Sequence, residues 1–183
     1  MLRLLDFVLA FFGLLFLWPV LLLITIIGYF DTGSPLFFQT RVGRHQKPFT
    51  LIKFRTMAVD TASMATHLLK KDNATKLGRF LRKTKLDELP QLINVLKGEM
   101  SLVGPRPSLF NQKDLITARN EKNIYNARPG ITGLAQINQV DMSTPERLAE
   151  LDAQMLKTLD IKHYVKYIFA TVTGRGSGDR LQD

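Results

Sequence analysis

The strongest pattern along the chain is residues 7–30, an apolar run of 24 residues without Asp, Glu, Lys, Arg or His. A bilayer core of about 30 Å is crossed by roughly 20 such residues in a helix. A secretory signal is the competing reading, but its apolar region is usually shorter and followed by a small-residue cleavage site. This run leads instead into Asp31-Thr32-Gly33-Ser34-Pro35. An uncleaved membrane anchor over residues 1–31 is therefore expected, followed by one integrated domain over residues 32–183.

Trp18-Pro19 falls near the middle of the run. Proline inside a helix removes a hydrogen bond and clashes with the preceding turn, so a kink is expected at Pro19. An arm of about 12 residues gives roughly 18 Å of helix, too short to cross alone, whereas a straightened segment of roughly 36 Å would span. The pattern leaves both a bent spanning helix and a helix-break-helix that enters and leaves by one face open. Arg41, Arg44, Lys47, Lys53 and Arg55 follow the run closely. The positive-inside rule places that segment in the cytoplasm.

Residues 35–56 alternate short apolar, β-branched and aromatic pieces around Gly43 and Pro48, the pattern of strands or a hairpin. Residues 61–71 and 77–83 read as helices with one basic face, carrying Lys70, Lys71, Lys76, Arg79, Arg82 and Lys83. That face is either simply solvated or, beside an anchor, laid against anionic lipid headgroups. Leu86, Leu89, Ile93 and Leu96 have helical spacing and stop at Lys97-Gly98, a cation and a glycine where a helix should end. Asp87 suits the N-cap and Pro90 the first turn, which puts Asp87-Glu88 at the positive end of that helix. Capping alone would account for this pair. Residues 145–173 read as a charged helix followed by an aromatic one, before a Gly-rich tail.

Two loops change the weight of the acidic pair. Gly104-Pro105-Arg106-Pro107 and Arg128-Pro129-Gly130-Ile131-Thr132-Gly133 each hold an arginine before a proline, which restricts the arginine's backbone. A fixed guanidinium grips phosphate oxygens in bidentate fashion, and nearby glycines allow close backbone approach. Two carboxylates with arginines on rigid loops form a sensible site for a pyrophosphate and a divalent cation.

Composition narrows the chemistry. The 183 residues carry 25 Lys+Arg against 16 Asp+Glu, a net charge of +9, which favours phosphate-rich or anionic partners. The absence of cysteine excludes disulfides, thiolate catalysis and cysteine-ligated metals. His45, His67 and His163 are scattered without metal-binding spacing.

The blocks Lys53-Phe54-Arg55-Thr56-Met57, Leu86-Asp87-Glu88-Leu89-Pro90-Gln91 running on through Gly98 to Pro107, and Arg128 to Gly133 carry a family likeness. Over nearly its whole length the chain resembles the bacterial sugar transferases, small monotopic phosphoglycosyl transferases acting on undecaprenyl phosphate. The resemblance implies that Asp87 attacks the sugar-linked phosphate of a UDP-sugar, releasing UMP, and that undecaprenyl phosphate then takes the phospho-sugar. It implies Mg²⁺ near Asp87, a supporting role for Glu88, and a re-entrant helix broken at Pro19 that holds the site at the cytoplasmic face of the bacterial inner membrane. Arg82, Arg106 and Arg128 are the phosphate-binding candidates, and Lys53 and Asp152 also fall on family positions. Nucleic acid is not an implied partner.

The implied fold is α/β in type but mostly helical, membrane-associated, with a small strand element near the site. The sequence departs from the family at Asn138-Gln139-Val140, where many relatives carry Asn-Gly-Arg, and at Met155, where tyrosine is frequent. Both lie in the half linked to sugar recognition, for which an N-acetylated amino sugar is the commonest family expectation. The rival reading, a non-enzymatic membrane-anchored polyanion-binding protein, leaves Asp87-Glu88 and the two Arg-Pro loops without a use.

Overall fold

A computed structural model describes residues 1–59 and 73–174. The basic helix expected over residues 61–71 and the Gly-rich tail beyond Gly174 lie outside the described residues. The rest is mostly helical, with two small sheets.

Helix α1 (Leu2–Thr32) is long and apolar enough to cross a membrane. Pro19 lies inside it without ending it. A proline withdraws one backbone hydrogen bond, and helical geometry can resume on either side. Both ends of α1 pack on the same body. Ala10 and Leu14 join Leu51, Leu92, Val95 and Met100 in one apolar cluster, while Leu21 and Ile24 join Phe54 and Leu81 in another. Between them Leu17, on the same face, is half-buried, while Leu15, Phe16, Trp18, Pro19 and Val20 are exposed. The face away from the body keeps Phe7, Phe11, Leu22, Leu23 and Ile26 outside as well.

The start of α1 is fixed by polar groups that the apolar run conceals. Asp6 is 3% exposed, and its Oδ1 accepts from the Ser101 hydroxyl and the Leu102 N–H, each at 2.8 Å, and from the Tyr164 hydroxyl at 2.5 Å. Burial, followed by the Asp6 carboxylate, pushes the Tyr164 hydroxyl well above its usual range. Arg3 donates to the carbonyls of Val95 and Met100. Asp6→Leu would strand three donors at once. We expect a loss of about 3–5 kcal/mol on denaturation, with Asp6→Asn losing less because an amide oxygen still accepts.

Gly33 ends α1 in the left-handed region, and the chain enters a hairpin of β1 (Leu36–Val42) and β2 (Pro48–Phe54), antiparallel with Phe37 opposite Lys53 and Arg41 opposite Phe49. This is the expected hairpin, with Gly43 and Pro48 at its turn. Helix α2 (Lys76–Thr84) starts on Thr75, whose hydroxyl accepts from the Gly78 N–H. A Cβ on Gly78 would run into the Thr56 backbone, so this glycine lets α2 lie directly on the exit of β2.

The helix expected from Leu86 onward begins differently. Leu86–Glu88 forms a 3₁₀ turn, and helix α3 (Gln91–Lys97) starts only after Pro90, ending at Gly98 with φ 83°. Asp87 is therefore not the N-cap of α3. Pro90 lacks an N–H for the interior of a helix and sets the start of α3 at its own position. Asn94 ties α3 to the hairpin: its side chain is fully buried, accepts from Ile52 N–H and donates to the Thr50 carbonyl and to Glu99.

Strand β3 (Ser101–Val103) pairs in parallel with β4 (Gly130–Thr132), bringing the two Arg-Pro loops together. Helix α4 (Lys113–Glu121) lies between them in sequence. Short α5 (Leu134–Ile137), then α6 (Pro145–Thr158) and α7 (Ile161–Val172), complete the body. The last two are the expected charged and aromatic helices.

Candidate active site

Lys85 links α2 to the acidic turn in a left-handed conformation, φ 58°. Asp87, 4% exposed, and Glu88 follow on that turn. Glu88 Oε1 accepts from Arg106 Nη2 at 3.0 Å, with both side chains partly buried. The acidic pair and the first Arg-Pro loop thus meet through an ion pair.

That loop is immobilised along its length. The carbonyl of Pro105 accepts from Gly130 N–H, that of Arg106 from Arg119 Nη1, that of Pro107 from Arg41 Nη1, and that of Ser108 from Val42 N–H. Four successive carbonyls therefore have donors from three different segments, β1, α4 and the start of β4. The glycines play a different part from the one expected. A Cβ on Gly130 would collide with the Gly104 backbone, and one on Gly104 with the Arg128 carbonyl, so these glycines let the loops approach each other.

A small recess is lined by Arg41, Lys53, Glu88, Gln91, Arg106 and Pro107. Lys53 is buried, its Nζ 5.6 Å from the centre of the Phe37 ring across the hairpin. Lys53, Glu88 and Arg106, drawn from distant parts of the sequence, are brought together here. Arg41 and Gln91 join them, although the sequence marks Arg41 only as a flanking charge and Gln91 only as part of a family block. In an antiparallel ladder Phe37, Gln39 and Arg41 share a face with Lys53 and Leu51, and this polar alternation toward a buried face was the available signal.

The other candidates sit elsewhere. Arg82 lies one turn after Gly78 and donates from Nε to the buried Thr56 hydroxyl at 2.8 Å. Arg128 donates from Nε to the Gly98 carbonyl. Burial and the charges of Arg3 and Arg44 depress its guanidinium pKa. Asp152 is fully buried behind the loop, where Oδ2 accepts from Arg119 Nη2 at 2.6 Å and Nε at 3.0 Å. Burial pushes the Asp152 carboxyl up while Arg119 pulls it down. Its link to Arg106 runs through Arg119, so it stands behind the recess rather than in it. Met155 is also fully buried, packed with Val103, Tyr164 and Tyr167, which makes it a core residue rather than a reader of sugar.

Residues 1–176 match the family model described as bacterial sugar transferase. The chain belongs to the bacterial sugar transferase family. An uncharacterized sugar transferase, EpsL, of Bacillus subtilis is 47% identical over 152 residues, covering 82% of this sugar transferase and 74% of its relative. The UDP-glucose:undecaprenyl-phosphate glucose-1-phosphate transferase of Escherichia coli is 38% identical over 177 residues, covering 91% of this chain but 38% of that protein. The undecaprenyl-phosphate galactose phosphotransferase of Salmonella typhimurium is 40% identical over 134 residues, 62% of this chain and 28% of that one. The sugar transferase thus spans well under half the length of these last two relatives.

Proposed function

We propose that this chain moves a phospho-sugar from a UDP-sugar to undecaprenyl phosphate, releasing UMP, as the first membrane step of a glycoconjugate pathway. The observation that carries the reading is the Asp87-Glu88 turn joined to Arg106, set beside an exposed apolar helix. In this reading the Asp87 carboxylate attacks the sugar-bearing phosphorus, the bond to UMP breaks, and an aspartyl phospho-sugar forms. An oxygen of the lipid phosphate then attacks the same phosphorus and restores Asp87. Arg106 and Lys53 offset charge on the diphosphate, Glu88 orients Arg106, and Arg82 and Arg128 remain candidates for the outer phosphate and nucleotide.

Among the described residues no three His, Asp or Glu side chains gather into a metal cluster. Mg²⁺ is commonly held by one or two carboxylates plus substrate phosphates and water, so a donor set of Asp87 with an incoming diphosphate fits it. Bound there, Mg²⁺ would neutralise charge on the phosphates. The test is UMP release by the purified chain from a panel of UDP-sugars with Mg²⁺ and undecaprenyl phosphate. Release with at least one sugar is expected, and none with any would overturn the reading. Arg106→Lys should lower kcat/KM at least about tenfold in that assay, because an ammonium cannot reproduce a guanidinium fork between Glu88 and phosphate.

We also read α1 as re-entrant, with both flanks on the cytoplasmic face of the inner membrane and basic surfaces against anionic lipid. Its support is that α1 packs on one body on both sides of Pro19 instead of standing clear of it. The chain lacks cysteine, so Leu2→Cys gives a unique thiol. It should resist an impermeant reagent on intact cells and react once they are opened. Labelling from outside in the otherwise native chain would show a spanning helix.

A further inference from the structure

A second cavity, of about 360 Å³, opens beside the acidic turn. Its walls are mostly apolar, with Leu89, Leu102 and Ile131 joined by Ile168 and Val172 of α7, and Thr84, Thr132 and Thr171 supply the few neutral polar groups. Lys85 and Glu88 also line it, so the cavity reaches the charged groups of the site described above. Val172 is 80% exposed, and the cavity opens to the surface beside it. There it adjoins a stripe of exposed apolar residues on α7, Val165, Phe169 and Val172, at helical spacing. Its floor backs onto the membrane helix: Leu92 lines the cavity, and a Cβ on Gly13 of α1 would come within 3.2 Å of it.

A nucleotide or sugar would gain little from such walls, because its many hydroxyls and amides would lose water and find few partners: the Thr132 and Thr171 hydroxyls bond each other and that of Thr84 bonds the Phe80 carbonyl. An unbranched fatty acyl chain needs no cation deep in its groove. A molecule with a phosphate at one end and hydrocarbon immediately behind it uses both features. We infer that this cavity receives the first isoprene units of the polyprenyl phosphate acceptor, with Lys85 meeting its phosphate beside Glu88.

The inference rests on the function proposed above and assigns the acceptor a place within it. Size agrees with the assignment. A cavity of roughly 150 Å³ takes up benzene, so this one holds on the order of two five-carbon units. The remainder of the chain would lie along the apolar stripe of α7 in the lipid. Recognition limited to the head end also means that a shortened acceptor of a few isoprene units should bind nearly as well as the full-length one. Lys85 suits its part: burial depresses its ammonium pKa while Glu88 opposes that shift, and an incoming phosphate would add a further opposing charge.

The test uses the full chain in lipid nanodiscs and a polyprenyl phosphate bearing a photoreactive group in its first isoprene units. Cross-linking should fall on the α7 peptide containing Ile168 and Val172 and be competed by undecaprenyl phosphate. Label confined to α1 or to the hairpin would overturn the assignment. In turnover, Ile168→Trp, which fills the cavity, and Val172→Trp, which crowds its mouth at a position that tolerates bulk, should raise the acceptor KM about tenfold, equivalent to losing roughly two buried methylenes. The KM for UDP-sugar should not move. Equal changes in both KM values, or none with Val172→Trp, would also overturn it. If no UDP-sugar is turned over, the proposed function fails, whereas the cross-link still reports whether the cavity takes a polyprenyl phosphate.

Discussion

Asp87→Asn should abolish turnover, lowering the rate by at least about a thousandfold, while the protein remains folded. Removing a nucleophile eliminates the covalent path outright, and what survives elsewhere is the background supplied by binding and electrostatics. Asparagine matches aspartate in shape, and Asp87 does not cap α3, so the substitution spares that helix start. Two measurements separate the alternatives. Single-turnover UMP release should vanish, and intact mass after mixing with UDP-sugar should show an added phospho-sugar in the native chain and none in the variant. Wild-type UMP release from Asp87→Asn would move the nucleophile elsewhere. A burst of UMP with no mass shift in the native chain would favour direct transfer between the two substrates.

The parts of the structure that follow from local chemistry were legible in the sequence. The hairpin is signalled by Gly43 and Pro48 between β-forming pieces, and the end of α3 by Lys97-Gly98. Glycine there takes φ 83°, which a side chain would resist. Asp87 was expected as a cap because Asp before Pro reads as a helix start. The 3₁₀ turn over Leu86–Glu88 instead sets it earlier, a shift of three residues that capping preferences do not resolve. Glycines in the Arg-Pro loops read as ligand contacts, but Gly104 and Gly130 face each other across a parallel pairing between segments far apart in sequence. No local signal announces such pairing. Asp6 escaped notice for a related reason: it stands next to the apolar run, and its partners Ser101, Leu102 and Tyr164 come from more than 90 residues away.

Arg119 and Asp152 provide the sharpest test of how the site is held. Arg119 is 1% exposed and Asp152 fully buried; among the described residues, Asp152 Oδ2 takes both guanidinium bonds and Oδ1 has no hydrogen-bond donor. Arg119→Met should cost about 3–5 kcal/mol, because it leaves a carboxylate buried without its counter-charge. Adding Asp152→Leu to that variant should recover most of the loss, since an apolar pair of similar size needs no desolvated charge. Activity should not recover with it. Arg119 also donates to the Arg106 carbonyl at 2.8 Å, so both variants release one of the four carbonyl anchors that aim Arg106 at Glu88. We expect the double variant to melt near the wild-type temperature yet retain only about 1–10% of kcat/KM, the scale seen when outer groups that orient a ligand-binding residue are removed. Its defect should lie in the handling of UDP-sugar, where Arg106 acts. Recovery of both stability and kcat/KM in the double variant would make Arg119 a structural residue alone, and the fixed loop would then owe its aim to Arg41, Val42 and Gly130.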